Sequence, residues 1–142
     1  MSKGLRTLMF SVAAMFACQV QADFYVVVQS DNPQAFITKK EAVNLFMGRS
    51  RAFSNGDFAL IFDLPRDDPK RAAFYLSLTG WAPAKVNSYW SRLMFSGQSM
   101  PPQPLPDELA MINIVERNPS ALGWLSQPPT NPSLRTILVI KE

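Results

Sequence analysis

The hydrophobic pattern divides the chain into runs of two kinds. "FYVVVQ", Phe24 to Gln29, is continuously apolar and β-branched, as in a strand covered on both faces. "SDNP" interrupts it. Thr38 then stands as an N-cap before "KKEAVNLFMG", with Glu41 at the capping-box position and Gly48 as the stop. Val43, Leu45, Phe46 and Met47 supply that helix with its apolar face. "FALIFDL", Phe58 to Leu64, reads as a second strand behind the turn residues Asn55, Gly56 and Asp57.

Asp67 or Asp68 caps the next helix, with Pro69 at its first position, where a missing N–H costs nothing. Its body, "KRAAFYLSL", ends at Gly80. Pro83 opens a third helix in which Val86, Tyr89, Trp90, Leu93 and Met94 recur at helical spacing. "SGQSMPPQPLP" is too proline-rich for regular structure. Asp107 caps "ELAMINIVERN", which Asn118 and Pro119 halt, and "ALGWLS" and "RTILVI" read as closing strands. Apolar strands alternating with helices predict a layered α/β domain. Its core is expected to form where Phe46, Phe74, Trp90, Phe95 and Val115 pack on a sheet containing Val26, Ile61, Leu122 and Leu138.

The first 22 residues obey a different rule. Lys3 and Arg6 precede the uncharged run "LMFSVAAMFACQV", and "VQA" before Asp23 offers the small residues of a cleavage site. The run is shorter than the roughly 20 residues a spanning helix needs. This predicts a signal peptide over 1–22, a mature domain over 23–142, and a periplasmic protein without stable membrane insertion. Cys18 offers the alternative of a lipoprotein, which the bulky Phe16 disfavours. Cleavage after Ala22 removes the only cysteine, so the fold has to be held by its core.

Cleavage also changes the charge. Of 14 Lys and Arg, Lys3 and Arg6 fall in the leader, leaving 12 against 11 Asp and Glu. The mature domain is nearly neutral and has no basic run longer than two residues, which argues against nucleic acid. One domain of this length can bury a real core.

Candidate chemistry is sparse. There is no histidine, hence no Ser-His or Cys-His pair and no ordinary zinc site. Asp67 and Asp68 are neighbours at a helix start, where capping is the ordinary role and a catalytic pair a remote one. Asp63 with Asp67 and Asp68 lacks the alternating oxygen ligands and glycine of a calcium loop. Trp81, Tyr89, Trp90 and Trp124 are able to line a ligand groove, although core packing is the commoner use of such residues. The six glycines form no phosphate loop. No cofactor, metal site or enzymatic constellation can be assembled.

In order along the chain, "FYVVVQSDNP", "TKKEAVNLFMGRSRAFSNG", "LIFDLPRDD…F", "YWSRLMFSG" and "IVERNPSALGWL" resemble the phosphate-type periplasmic substrate-binding proteins of ABC transporters, in particular their small, single-lobe members. The family's late "NPGAIGY" has Ser120 in place of glycine and Trp124 in place of tyrosine here. The resemblance implies a layered mixed sheet with helices on both faces, one lobe of a type 2 periplasmic binding protein. Full-length members bind an oxyanion between two lobes, partly through a "SDGSGT" element at a helix N-terminus, where N–H groups and the helix dipole favour an anion. Arg66 corresponds to the basic residue before that element. In place of the element itself this chain has "DDPKRAA", without the hydroxyls, with one N–H lost at Pro69 and with two carboxylates beside the site.

Two functions are expected from these residues. One is a solute-binding-like protein taking phosphate or a related small oxyanion weakly, through Arg66, Lys70 and Arg71 and also Arg49 or Arg51. The other is a non-catalytic accessory module, partnered by an envelope protein or transporter, that kept the lobe and lost the ligand.

Overall fold

A computed structural model describes residues 23–142. The signal peptide expected over 1–22, with Cys18, lies outside the described residues. Five strands and four helices succeed one another in the order β1 (Phe24–Gln29), α1 (Lys39–Phe46), β2 (Leu60–Asp63), α2 (Pro69–Thr79), α3 (Pro83–Phe95), β3 (Gln103–Pro104), α4 (Glu108–Arg117), β4 (Ala121–Leu125) and β5 (Leu134–Ile140). They form one mixed sheet in the order β3-β2-β4-β1-β5. β2 runs parallel to β3 and β4, whereas β1 is antiparallel to both β4 and β5.

Local chemistry accounts for the helix starts. The Thr38 side chain accepts from the Glu41 N–H, and the Glu41 carboxylate accepts from the Thr38 N–H, closing a capping box. Asp68, rather than Asp67, caps α2 by accepting from the Lys70 N–H at 2.8 Å. Asp107 caps α4 through the Ala110 N–H.

The sheet is covered on both faces. Trp124 of β4 stacks on Phe74 of α2, with ring centroids 4.4 Å apart, and Phe24 meets both rings edge-on. Phe46 of α1 packs on Phe74 at 5.0 Å. The neighbouring position in β4, Gly123, points to the other face, because side chains alternate along a strand. A Cβ there would stand 2.5 Å from Met111 Sδ and 3.3 Å from Val115, so the missing side chain lets α4 approach β4 closely.

Three expectations need correction. Val115 belongs to the core but on the α4 face, opposite Phe74. Phe95 is 98 % exposed. It stands five positions past Trp90, about 140° round a helix turning 100° per residue, and so falls off the buried stripe. The proline-rich loop also contains a strand: β3 pairs Gln103 and Pro104 with Phe62 and Asp63. Pro104 is tolerated there because β3 is a two-residue edge strand.

Candidate functional site

β2 ends inside the protein on a charge. Asp63 is 2 % exposed, and both of its carboxylate oxygens are fully engaged. Oδ1 accepts from the Leu64 N–H at 2.8 Å and from the Trp124 indole N–H at 3.1 Å. Oδ2 accepts from Arg71 Nε at 3.1 Å and from the Tyr75 hydroxyl at 2.7 Å. Arg71 and Tyr75 lie one helical turn apart on α2, so one helix face delivers both donors. Burial pushes the Tyr75 phenol well above its usual range, and the Asp63 carboxylate pushes it further, so the hydroxyl remains a donor.

Arg71 is 7 % exposed and stands 4.9 Å above the Tyr75 ring. Its Nη1 donates to Asn87 Oδ1 of α3 at 3.3 Å. A guanidinium carries five N–H donors. Its Nη2 has no partner among the described residues and is not sealed off from solvent.

That side chain borders a cleft of about 500 Å³, its mouth included, between α3, the carboxyl end of β2 and the segment leading into β3. Its polar lining consists of Asp63, Arg66, Arg71, Asn87 and Ser91. Asn87 and Ser91 are four residues apart and share one face of α3. Leu64, Trp90, Met94 and three prolines of the 101–104 segment form its apolar walls. Gly48 leaves room for Trp90, since a Cβ there would come 2.7 Å from the indole ring. The Trp90 indole N–H is buried and has no hydrogen-bond partner among the described residues.

The five basic residues singled out in the sequence do not converge. Arg66, exposed, and Arg71, buried, share the cleft. Lys70 turns away and donates to Glu108 Oε2 of α4 at 2.7 Å. Arg51 lines a neighbouring cleft with Phe58, Leu60 and Met100, and Arg49 is exposed and borders neither. Sequence reasoning missed Asp63 as the partner of Arg71, and Asn87 and Ser91 as the α3 wall. An aspartate inside the apolar run "FALIFDL" was the available signal, since buried carboxylates are rarely unpaired.

Glu108 fastens the start of α4 to the end of β4, accepting from both the Ser126 N–H and hydroxyl as well as from Lys70. Burial works against its charge, but the hydrogen bonds from Lys70 and Ser126 outweigh it and hold its pKa below the usual carboxylate range. A carboxyl with a depressed folded pKa adds stability above its unfolded value, roughly pH 4.3, and loses that stability as pH falls through the folded value. Glu108→Gln is therefore expected to lower stability by about 1 kcal/mol at pH 7, with Lys70 half exposed to solvent. The difference from the natural chain should narrow as pH falls below the unfolded value and through the folded one. Thermal unfolding at pH 7 and pH 3.5 measures both; an equal difference at the two pH values would contradict the assignment.

No family model and no curated protein matches this sequence. Solved structures do. An ABC-type phosphate transport receptor from Vibrio cholerae superposes with a TM-score of 0.62 at 15% identity, over 82% of this chain and 46% of that one. A protein assigned as a phosphate ABC transporter substrate-binding protein, with bound phosphate, from Clostridium perfringens gives 0.64 at 13% identity, over 82% and 45%. The chain thus has the mixed α/β fold of a substrate-binding protein lobe and spans less than half the length of either structure. Both neighbours are transport receptors or substrate-binding proteins. No helix among the described residues is long and apolar enough to cross a membrane.

Proposed function

We propose that the protein is a periplasmic solute-binding-like protein whose cleft at the end of β2 takes a small oxyanion weakly. The observation that supports this reading is Arg71: a nearly buried guanidinium, oriented by Asp63 and Asn87, whose Nη2 has no partner among the described residues and which lines an open cleft together with Arg66. Ligands of open α/β sheets bind outside the carboxyl ends of the strands, where Asp63 stands. Weakness follows from charge. Asp63 offsets Arg71, and Asp68 occupies the Lys70 N–H that an anion at the helix start would use. Physiological salt screens what attraction remains at exposed Arg66.

Titration with sodium phosphate, followed by NMR shifts of Arg66, Arg71 and Asn87, tests the reading. Saturable shifts with a dissociation constant of about 1 mM or weaker are expected, corresponding to roughly 4 kcal/mol or less. They should be lost in Arg66→Gln. Micromolar binding would overturn the weakness, and silence at all three residues would overturn the site. Silence would favour a second reading, a non-catalytic envelope module that kept the lobe. The internal neutralisation of Arg71 by Asp63 supports that alternative.

The same reading has residues 1–22 removed on export, leaving Asp23 as the N-terminus. The intact mass of protein recovered from the periplasm decides this; a retained Met1 or a lipidated Cys18 would contradict it.

A further inference from the structure

We infer that the preferred ligand of this cleft is an organic monoanion, a carboxylate carried on an apolar body the size of one aromatic ring, rather than inorganic phosphate. The inference rests on the anion-binding reading above and narrows it. Three features of the cleft set the ligand's chemistry.

The first is net charge. Arg66 and Arg71 are cationic and Asp63 is anionic, so the lining carries one unbalanced positive charge. A dianion entering would leave one of its charges uncompensated in a partly desolvated site, which is costly, whereas a monoanion is matched. The second is the shape of the donor set. Nη2 of Arg71 has no partner among the described residues, and Arg66 lines the same cleft, so a planar carboxylate there has guanidinium N–H groups of two side chains to draw on. The third is the wall. Leu64, Trp90, Met94 and Pro101, Pro102 and Pro104 line the cleft, and apart from the three charged groups only Ser91 and Asn87 are polar. Phosphate has no apolar surface to bury against them, whereas a ring or branched alkyl group does. Without its open mouth the cleft measures about 130 Å³, close to the roughly 150 Å³ of an apolar cavity that holds one benzene ring, so the apolar body it takes is no larger than that.

Four probes separate these contributions by calorimetry and by quenching of tryptophan fluorescence: sodium phenylacetate, sodium acetate, phenylacetamide and inorganic phosphate. Phenylacetate should bind at least about tenfold more tightly than acetate, through the ring, and at least about tenfold more tightly than phenylacetamide, through the charge. It should also exceed phosphate. Met94→Ala, at a half-exposed position, should weaken phenylacetate several-fold and leave acetate unchanged. Arg66→Gln, at an exposed position, should weaken both carboxylates. If phosphate binds as tightly as phenylacetate, or if Met94→Ala weakens acetate equally, the apolar-body inference is wrong while the anion site stands. If none of the three anions perturbs the cleft, both the inference and the site fall.

Discussion

Asp63→Ala is expected to destabilise the protein by about 3–5 kcal/mol, the usual result of removing one partner from a buried ion pair. The substitution strands four donors at once: the Leu64 N–H, the Trp124 indole, the Tyr75 hydroxyl and Arg71 Nε. Arg71 would keep its charge at a site where little water reaches it, with a single hydrogen bond to Asn87 as compensation. Such a loss is a large share of a typical stability of roughly 5–15 kcal/mol. Urea unfolding of the single variant and of Asp63→Ala with Arg71→Met gives the decisive comparison. The double variant should be less destabilised than the sum of its singles, because the uncompensated charge has gone. A cost below about 1 kcal/mol for Asp63→Ala would mean that the pair is hydrated and the cluster is not what orients Arg71.

Phe74→Ala should cost a comparable amount, about 3–5 kcal/mol, for a different reason. Phe74 is the ring on which the aromatic core converges, with Phe24, Phe46, Tyr75 and Trp124 all within 5.7 Å between centroids. Truncation removes the stacking partner of Trp124 and leaves a void between α2 and the sheet, which rigid neighbouring rings cannot easily close. Equilibrium unfolding measures the loss, and the near-ultraviolet signal of Trp124 should change in the folded state. A cost within the roughly 0.5 kcal/mol of surface changes would place the helix elsewhere.

The helix starts were legible in the sequence because capping is local. Thr38 with Glu41, Asp68 with Pro69, and Asp107 each satisfy N–H groups within three residues of themselves. β3 was not legible. Its two residues form a strand only because the chain passes beside Phe62 and Asp63 and Leu105 donates to the Asp63 carbonyl, a contact no local propensity encodes. Helical spacing alone would have placed Phe95 outside the core, whereas the separation of Val115 from Phe74 onto opposite faces depends on which side of β4 each helix packs. At the cleft, Arg66, which the family resemblance singled out, is among the lining residues. The roles of Arg71 and Lys70 diverged because each met a carboxylate from another element, Asp63 on β2 and Glu108 on α4.

The place of β1 in the sheet bears on how the chain reaches its native state. Val26 has Trp124 and Leu138 as its two lateral partners, so the first strand made lies between the last two. A chain emerging from its amino end holds β1 unpaired until nearly all the remainder has been delivered, and closing so long a loop delays the sheet further. Until then "FYVVVQ" is an apolar segment with both edges open, the kind of sequence that holdase chaperones must shield from self-association. On the export route proposed above, that delay would hold the sheet open until the chain has left the side of synthesis.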